Sequence, residues 1–171
     1  RRVFLDQLRK HNMIMDIIPG NHDTYYKNTN ELNALKECLG HYMNEVHIIM
    51  EPTVMQYGSL SMALLPWICA DNYEPSMSFI RDCKADWLGA HLELANFEIG
   101  RGILAPHGMD AKIFKKFEQV LSGHYHTASR RDNIWYLGNP MEFFWSDAHD
   151  PKFFHILDTE SRQIEKIRNT Y

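Results

Sequence analysis

Hydrophobic and polar residues alternate along the chain in blocks that predict helices and strands in turn. The first block, residues 1–11, has the period of an amphipathic helix, with Val3, Phe4 and Leu8 on its apolar face. A short apolar run from Met13 to Ile18 then predicts a buried strand. Strands that alternate with helices indicate an α/β fold, and the strand-rich end of the chain predicts more antiparallel pairing there.

The middle and the end of the chain continue the alternation. Further helices are predicted at 30–40, which Gly40 would end, near 76–84, and at 110–118 with Asp110 as N-cap. Strands are predicted at 46–50, at 53–67 as a hairpin around Gly58, at 85–90, 119–123, 133–140, 152–158 and 162–167. The glycine-rich segment 96–110 predicts a loop. Because neither repeats nor linkers interrupt the pattern, residues 1–171 are interpreted as one domain.

Composition excludes several classes of protein. The chain has 171 residues, 44% of them hydrophobic, which suffices for a packed core. Its net charge of −4 gives no general attraction to polyanions, so nucleic-acid binding would need local patches or a bound metal. Cys38, Cys69 and Cys83 lack a CxxC pattern, which argues against a disulfide framework and favours a reducing compartment such as the cytoplasm. No apolar run approaches the ~20 residues of a membrane span.

Three apolar segments end in the same way, with a small residue and then a histidine. They are "IIPGNHD" at 17–23, "WLGAHLE" at 87–93 and "VLSGHYH" at 120–126. In open α/β sheets, ligands bind beyond the carboxyl ends of the strands, so the polar residues that follow are expected to lie on one rim. These residues are Asn21, His22, Asp23, His91, His124 and His126.

The chemistry of this set suggests metal ions. Neutral imidazole with amide and carboxylate oxygens, and without thiolate, suits Mn, Fe or Zn. Two histidines separated by one residue can bind two ions, and paired ions clamp a phosphoryl centre. Other interpretations stay open: GNHD can be an ordinary Asx-turn, and His91 a strand-end histidine. His107 could face the site or solvent. Surface or packing positions are expected for His11, His41, His47, His149 and His155.

These motifs resemble the third, fourth and fifth ordered motifs of the calcineurin-like metallophosphoesterase superfamily. The stretches "LLPWICADN", "LGAHLELANF", "SGHYHT" and "YLGNPME" resemble one branch of it, the exonuclease subunit of double-strand-break repair complexes. The SbcD-type subunit and the recombination endonuclease subunit of T-even-like phages belong to that branch. The resemblance covers nearly the whole chain and implies a four-layer αββα sandwich, here without its first strands.

The resemblance also implies roles for the candidate residues. Asn21, His91 and His124 would bind the second of two divalent ions and His126 the first, while His22 would be the catalytic histidine. Asp23 would orient the turn. The ions would be manganese, with Fe, Zn or Mg as alternatives, in a DNA exonuclease or endonuclease. Implied partners are DNA, an SbcC-type ATPase subunit and a second copy in a homodimer, in a bacterial cell or a phage-infected host.

DNA contacts within the chain would come from basic residues on loops. Arg101, Arg130 and Arg131 are the candidates, whereas Lys112, Lys115 and Lys116 are interpreted as solvated charges on a helix. No membrane partner is expected.

The superfamily's first two motifs, Asp-x-His and Gly-Asp-x-x-Asp, are absent from the chain. Both would precede GNHD, and they supply most ligands of the first ion. The expectation is therefore that an amino-terminal part of the domain is missing and that this polypeptide binds metal weakly and has little activity. Two other functions stay open: a phosphoesterase acting on small molecules or phosphoproteins, and a non-catalytic scaffold of the same fold. Retention of His22, His124 and His126 favours an enzyme over the scaffold.

Overall fold

A computed structural model gives the structure of the protein and describes residues 2–42, 44–100 and 102–170. The helices are α1 (Arg2–Lys10), α2 (Ala34–Leu39) and α3 (Tyr73–Asp82), with 3₁₀ turns at Ala111–Phe114 and Trp145–Asp147. The first strands are β1 (Met15–Ile17), β2 (Val46–Ile48), β3 (Thr53–Tyr57), β4 (Leu60–Leu65), β5 (Trp87–His91) and β6 (Glu98–Gly100). The others are β7 (Ile103–Leu104), β8 (Gln119–Gly123), β9 (Ser129–Arg131), β10 (Ile134–Tyr136), β11 (Phe153–Asp158) and β12 (Gln163–Arg168).

A six-stranded mixed sheet in the order β3-β4-β5-β8-β10-β9 forms the centre of the fold. Its four middle strands are parallel, and an antiparallel strand closes each edge. Strands β1 and β2 pair in parallel beside it, while β11 with β12 and β6 with β7 form antiparallel hairpins. The predicted α/β class is confirmed, and the arrangement is compatible with part of the expected sandwich. Within the described residues, no helix is long and apolar enough to cross a bilayer.

Both faces of the central sheet are buried, because parallel strands need cover on each side. On one face, Ala63, Leu65 and Leu88 pack with residues of α3 and of the segment after β7. On the other face, Leu60, Met62, Leu64 and Trp87 pack against partly buried residues that directly follow β1 and β2 or lie in β11 and β12, among them Ile18, Leu157 and Ile164. The alternation along β4 is the period-2 pattern that any strand imposes. The sheet therefore has an apolar layer on each face, and the ends of its strands carry the candidate residues.

Helix α1 differs from the prediction in the face that it buries. Leu5 and Leu8, one turn apart, pack against the β1–β2 pair, while Phe4 is half exposed. The predicted face of Val3, Phe4 and Leu8 is therefore wrong at Phe4, and the side chain of Val3 lies outside the described residues. Spacing alone does not separate two apolar stripes that differ by one position.

Several other elements also differ from the sequence prediction. The predicted helix at 110–118 is only one 3₁₀ turn, capped as expected by Asp110; Phe114 and Phe117 both enter the core, and the Phe117 amide donates to the Phe114 carbonyl. The segment predicted as a loop contains the short β6–β7 hairpin. Helix α3 begins at Tyr73, earlier than predicted. Pro75 fits in its first turn because the backbone N–H groups there have no partner within the helix, so the N–H that proline lacks is not missed. Strand β9 is absent from the sequence prediction.

Candidate functional site

The turn Gly20–Asp23 follows β1 and is closed by its own last residue. The Asp23 amide donates to the Gly20 carbonyl (3.1 Å), and the Asp23 carboxylate accepts the Gly20 amide (2.7 Å). The Trp67 amide donates to the Pro19 carbonyl (2.9 Å), which ties the turn to the segment after β4. Asp23 thus holds the turn while Asn21, half buried, and His22, exposed, follow the end of the strand.

Three side chains from different strand ends meet beyond this turn. His91 is the last residue of β5, and His124 directly follows β8, whose Gly123 pairs with His91 in the sheet. Nε2 of His91 lies 2.8 Å from Oδ1 of Asn21. Nδ1 of His124 lies 3.3 Å from that same oxygen and 3.3 Å from Nε2 of His91. GNHD and GHYH therefore contribute to one cluster of donor atoms, the Asn21–His91–His124 cluster.

Glycines and one tryptophan make room for the cluster and orient it. A Cβ at Gly20 would lie 2.6 Å from Cε1 of His91, and a Cβ at Gly123 would lie 3.1 Å from its Nδ1. The Trp67 ring stacks on His124, with centroids 5.4 Å apart, and meets His91 edge-on at 5.9 Å. The glycine in each motif thus leaves the space that the His91 imidazole fills.

The backbone of His124 is strained. Its φ of 91° lies in the left-handed region that favours glycine, although it is not a glycine. Such conformations cost about 1–3 kcal/mol and persist only where the surroundings enforce them. Here the unusual φ occurs at the residue whose imidazole nitrogen reaches Asn21 Oδ1, so strain and candidate chemistry coincide.

Lowered pKa values favour the neutral form of both half-buried imidazoles of the cluster, His91 and His124. Burial, helped by the nearby His124 and His22, lowers the pKa of His91 to about 4. Burial also lowers the pKa of His124, which the charge of Glu93 partly opposes. Neutral imidazole is the form that binds metal ions. His22 directly follows Asn21 in the turn, so this exposed residue lies next to the cluster.

His126 contacts a residue that the sequence does not single out. Nδ1 of His126 lies 3.3 Å from both carboxylate oxygens of the buried Asp147. Its ring stacks on Phe144, with centroids 5.4 Å apart and planes 12° apart. Its carbonyl accepts a hydrogen bond from Nζ of Lys152 (3.1 Å). Twenty-one residues separate His126 from Asp147, so no local motif links them.

Trp67 and Glu93 are also absent from the sequence prediction, although one signal was available for Trp67. It follows the apolar segment of β4 after Pro66, as the histidines follow theirs. A cavity of about 200 Å³ opens beside the cluster, lined in part by Trp67, Tyr73, His91 and Glu93. The carboxyl ends of β4, β5 and β8 thus share one rim, as expected for a ligand site in an open α/β sheet.

The candidate DNA-contacting arginines lie away from the turn. Arg130 donates to the Gln119 amide oxygen (3.2 Å) and packs over Trp135. Arg131 donates to the Asn96 carbonyl (3.0 Å) and lies 4.1 Å from the Phe97 ring centroid. Both are exposed on β9. Arg101 lies outside the described residues. Lys112, Lys115 and Arg131 line a cavity of about 210 Å³ together with Asp110 and Asp132.

The remaining histidines lie outside the cluster. His11, His41, His107 and His149 are exposed. His47 is exposed and pairs with Asp16 at 2.8 Å. His155 is partly buried edge-on against Trp135.

The donor set of the Asn21–His91–His124 cluster fits a borderline divalent ion. In the described part of the chain, no three His, Cys, Asp or Glu side chains gather as a metal site. The third donor of the cluster is the amide oxygen of Asn21, which lies outside those residue types. One oxygen and two neutral nitrogens within 3.3 Å of one another could ligate one ion and leave other positions open.

The chain is similar to exonuclease subunit 1 of Enterobacteria phage T4. The two are 35% identical over 152 residues, which cover 89% of this chain and 44% of that protein. The chain therefore spans less than half the length of the curated relative that it matches. No protein-family model matches the chain.

Proposed function

We propose that the chain is part of a nuclease subunit that hydrolyses DNA phosphodiester bonds with divalent metal ions, in phage recombination or double-strand-break repair. The observation that carries the proposal is the meeting of Asn21 Oδ1, His91 Nε2 and His124 Nδ1 within 3.3 Å. The similarity to an exonuclease subunit favours DNA over a small phosphoester or a phosphoprotein.

Asn21, His91 and His124 would hold one ion, and His126 would contribute to a second. Manganese suits the mixed oxygen and nitrogen donors, as Fe or Zn would. When bound, such ions supply Lewis-acid stabilisation of a phosphoryl centre and a nucleophile from water. In the neutral state that burial favours for His91 and His124, each ring has one nitrogen lone pair, which a metal ion can bind.

His22 is the candidate for contact with the substrate itself. It is exposed and lies near the cluster, so an incoming phosphodiester can reach its ring. An imidazole there can donate a hydrogen bond or a proton to the leaving oxygen, a contribution of about 10²–10⁴ in rate. Asp23 acts through the turn that carries His22, by accepting the Gly20 amide.

The relative's name describes a subunit, which supports a partner chain. We propose an SbcC-type ATPase as that partner and DNA as the substrate. Arg130 and Arg131 remain candidates for DNA contact, since both are exposed on β9.

The test uses the whole protein that carries this chain, with linear duplex DNA and Mn²⁺. We expect hydrolysis that EDTA abolishes. In His22→Gln, turnover should fall by about 100-fold or more, with Mn²⁺ binding retained. His41→Ala, at an exposed histidine away from the cluster, is the matched control and should behave as wild type. DNA left intact while bis-nitrophenyl phosphate is hydrolysed would overturn the nuclease assignment in favour of a general phosphodiesterase.

A further inference from the structure

Asp147 is a buried carboxylate with an unusually complete set of donors. Its Oδ2 accepts hydrogen bonds from the amides of Phe143 (2.9 Å) and Phe144 (3.0 Å) and from the side chain of Asn139 (3.1 Å). Burial alone would raise the pKa of Asp147, but these donors and Lys152 hold it well below its usual range. Three N–H donors on Oδ2 and the ammonium of Lys152 3.6 Å from Oδ1 identify Asp147 as an ionised carboxylate, which only accepts hydrogen bonds.

The carboxylate of Asp147 also faces His126. Nδ1 of His126 lies 3.3 Å from Oδ1 and from Oδ2 of Asp147. Since the carboxylate cannot donate, Nδ1 must carry the hydrogen. In the neutral ring the lone pair then belongs to Nε2.

The rest of the His126 environment holds the ring and its backbone in place. Phe144 stacks on the imidazole, and the His126 carbonyl accepts from Lys152 Nζ (3.1 Å) and from the Asn139 amide (3.2 Å). Lys152 is itself buried and pairs with Asp150 at 2.9 Å. One small network thus fixes both the direction of the His126 ring and the position of its hydrogen.

We propose that Asp147 is a positioning residue that holds neutral His126 in the Nδ1–H tautomer and so presents the Nε2 lone pair for ligation. A histidine ligand that donates its other N–H to a carboxylate is a general arrangement in metal sites, where the carboxylate sets the tautomer. The inference rests on the proposed function only for the metal ion that Nε2 would bind. The tautomer itself belongs to the polypeptide and is measured without metal or DNA.

The first measurement is the tautomer of His126 in the metal-free wild-type protein, by two-dimensional ¹⁵N–¹H spectroscopy of the imidazole. The spectrum distinguishes a pyrrole-type from a pyridine-type nitrogen at each ring position. We expect a pyrrole-type Nδ1 and a pyridine-type Nε2. The reverse assignment in the wild-type protein would overturn the proposal, with no variant needed.

The second measurement uses Asp147→Asn, which keeps size and shape. Three donors point at Oδ2, so the amide oxygen should occupy that place and the amide NH₂ should face His126. Nδ1 lies 3.3 Å from the place of each oxygen, so it then meets an N–H donor where Oδ1 stood; a donor there favours an accepting Nδ1, which moves the hydrogen to Nε2 and blocks it. We expect the pyridine-type signal to move from Nε2 to Nδ1. An unchanged tautomer would overturn the proposal.

Asp150→Asn is the matched control. It removes the other carboxylate that pairs with Lys152, and Asp150 makes no described contact with the His126 ring. In Asp150→Asn, His126 should keep the wild-type tautomer. A changed tautomer in this variant would overturn the proposal, because the effect would then belong to Lys152. Mn²⁺ affinity at the His126 position should fall about 10- to 100-fold in Asp147→Asn and not in Asp150→Asn. If the proposed nuclease activity were absent, the tautomer results would still decide this inference.

Discussion

The strained backbone at His124 makes a prediction that reverses a usual rule. Replacing a residue by glycine in regular structure normally costs about 0.5–1 kcal/mol more than replacing it by alanine. At a φ of 91°, however, alanine keeps a strain of about 1–3 kcal/mol that glycine relieves. The backbone strain that glycine relieves is larger than its usual cost relative to alanine, so His124→Gly should be more stable than His124→Ala by about 1 kcal/mol.

The assay is urea unfolding of both variants in EDTA, so that metal binding does not contribute to the free energy of unfolding. The matched control is the pair His91→Gly and His91→Ala. His91 belongs to the same cluster but lies in β5 with an ordinary backbone conformation, so alanine should be the more stable there. If His124→Ala were as stable as His124→Gly, the strain would not exist and the reasoning would fail.

Three further predictions concern the packing and stability of the fold. Gly20→Ala should lower the free energy of unfolding by about 1–3 kcal/mol in urea titrations, because its Cβ would lie 2.6 Å from the imidazole at the end of β5. Gly100→Ala, whose Cβ would meet nothing within 4 Å, should change it by less than about 0.5 kcal/mol, and equal effects would contradict the packing argument. Tyr136→Phe should cost about 1–3 kcal/mol by the same titration, because the lost hydroxyl accepts the buried Leu94 amide at 3.2 Å, and a neutral change would refute this. Burial and a nearby lysine lower the pKa of His155 below its ordinary value of 6.5, so in acid the unfolded chain binds a proton that the folded chain does not. The free energy of unfolding should therefore fall as the pH drops below 6.5, and less so in His155→Phe; equal pH profiles for the two proteins would contradict the assignment.

The fold is predictable from the sequence where periodicity is strong. Strands β4, β5 and β8 follow from their apolar runs, and the rule that ligands bind at parallel strand ends predicts that Asn21, His91 and His124 share one rim. The short strand β9, whose two arginines carry no apolar pattern, does not follow from periodicity. Nor does the 3₁₀ turn after Asp110, because buried phenylalanines three residues apart fit an α-helix equally well.

The support of the site is harder to predict than its ligands. Strands β9 and β10 separate His126 from Asp147 along the chain, and Trp67 reaches the imidazoles of His91 and His124 from the segment after β4. Neither shares a local motif with its partner, so only the tertiary structure places them together. The requirement for glycine at position 20 is also tertiary. GNHD marks a turn, but the group that leaves no room for a Cβ at Gly20 is the imidazole of His91, about seventy residues further along the chain.

The central claim is that Asn21, His91 and His124 bind one divalent ion. Pulsed electron paramagnetic resonance at saturating Mn²⁺ tests it most directly, since it detects imidazole nitrogens coordinated to the ion even when binding is weak. The account predicts imidazole coupling in the wild-type protein, a smaller coupling in His91→Ala, and an unchanged coupling in His41→Ala. Bound Mn²⁺ without imidazole coupling, or a coupling that His91→Ala leaves unchanged, would contradict it.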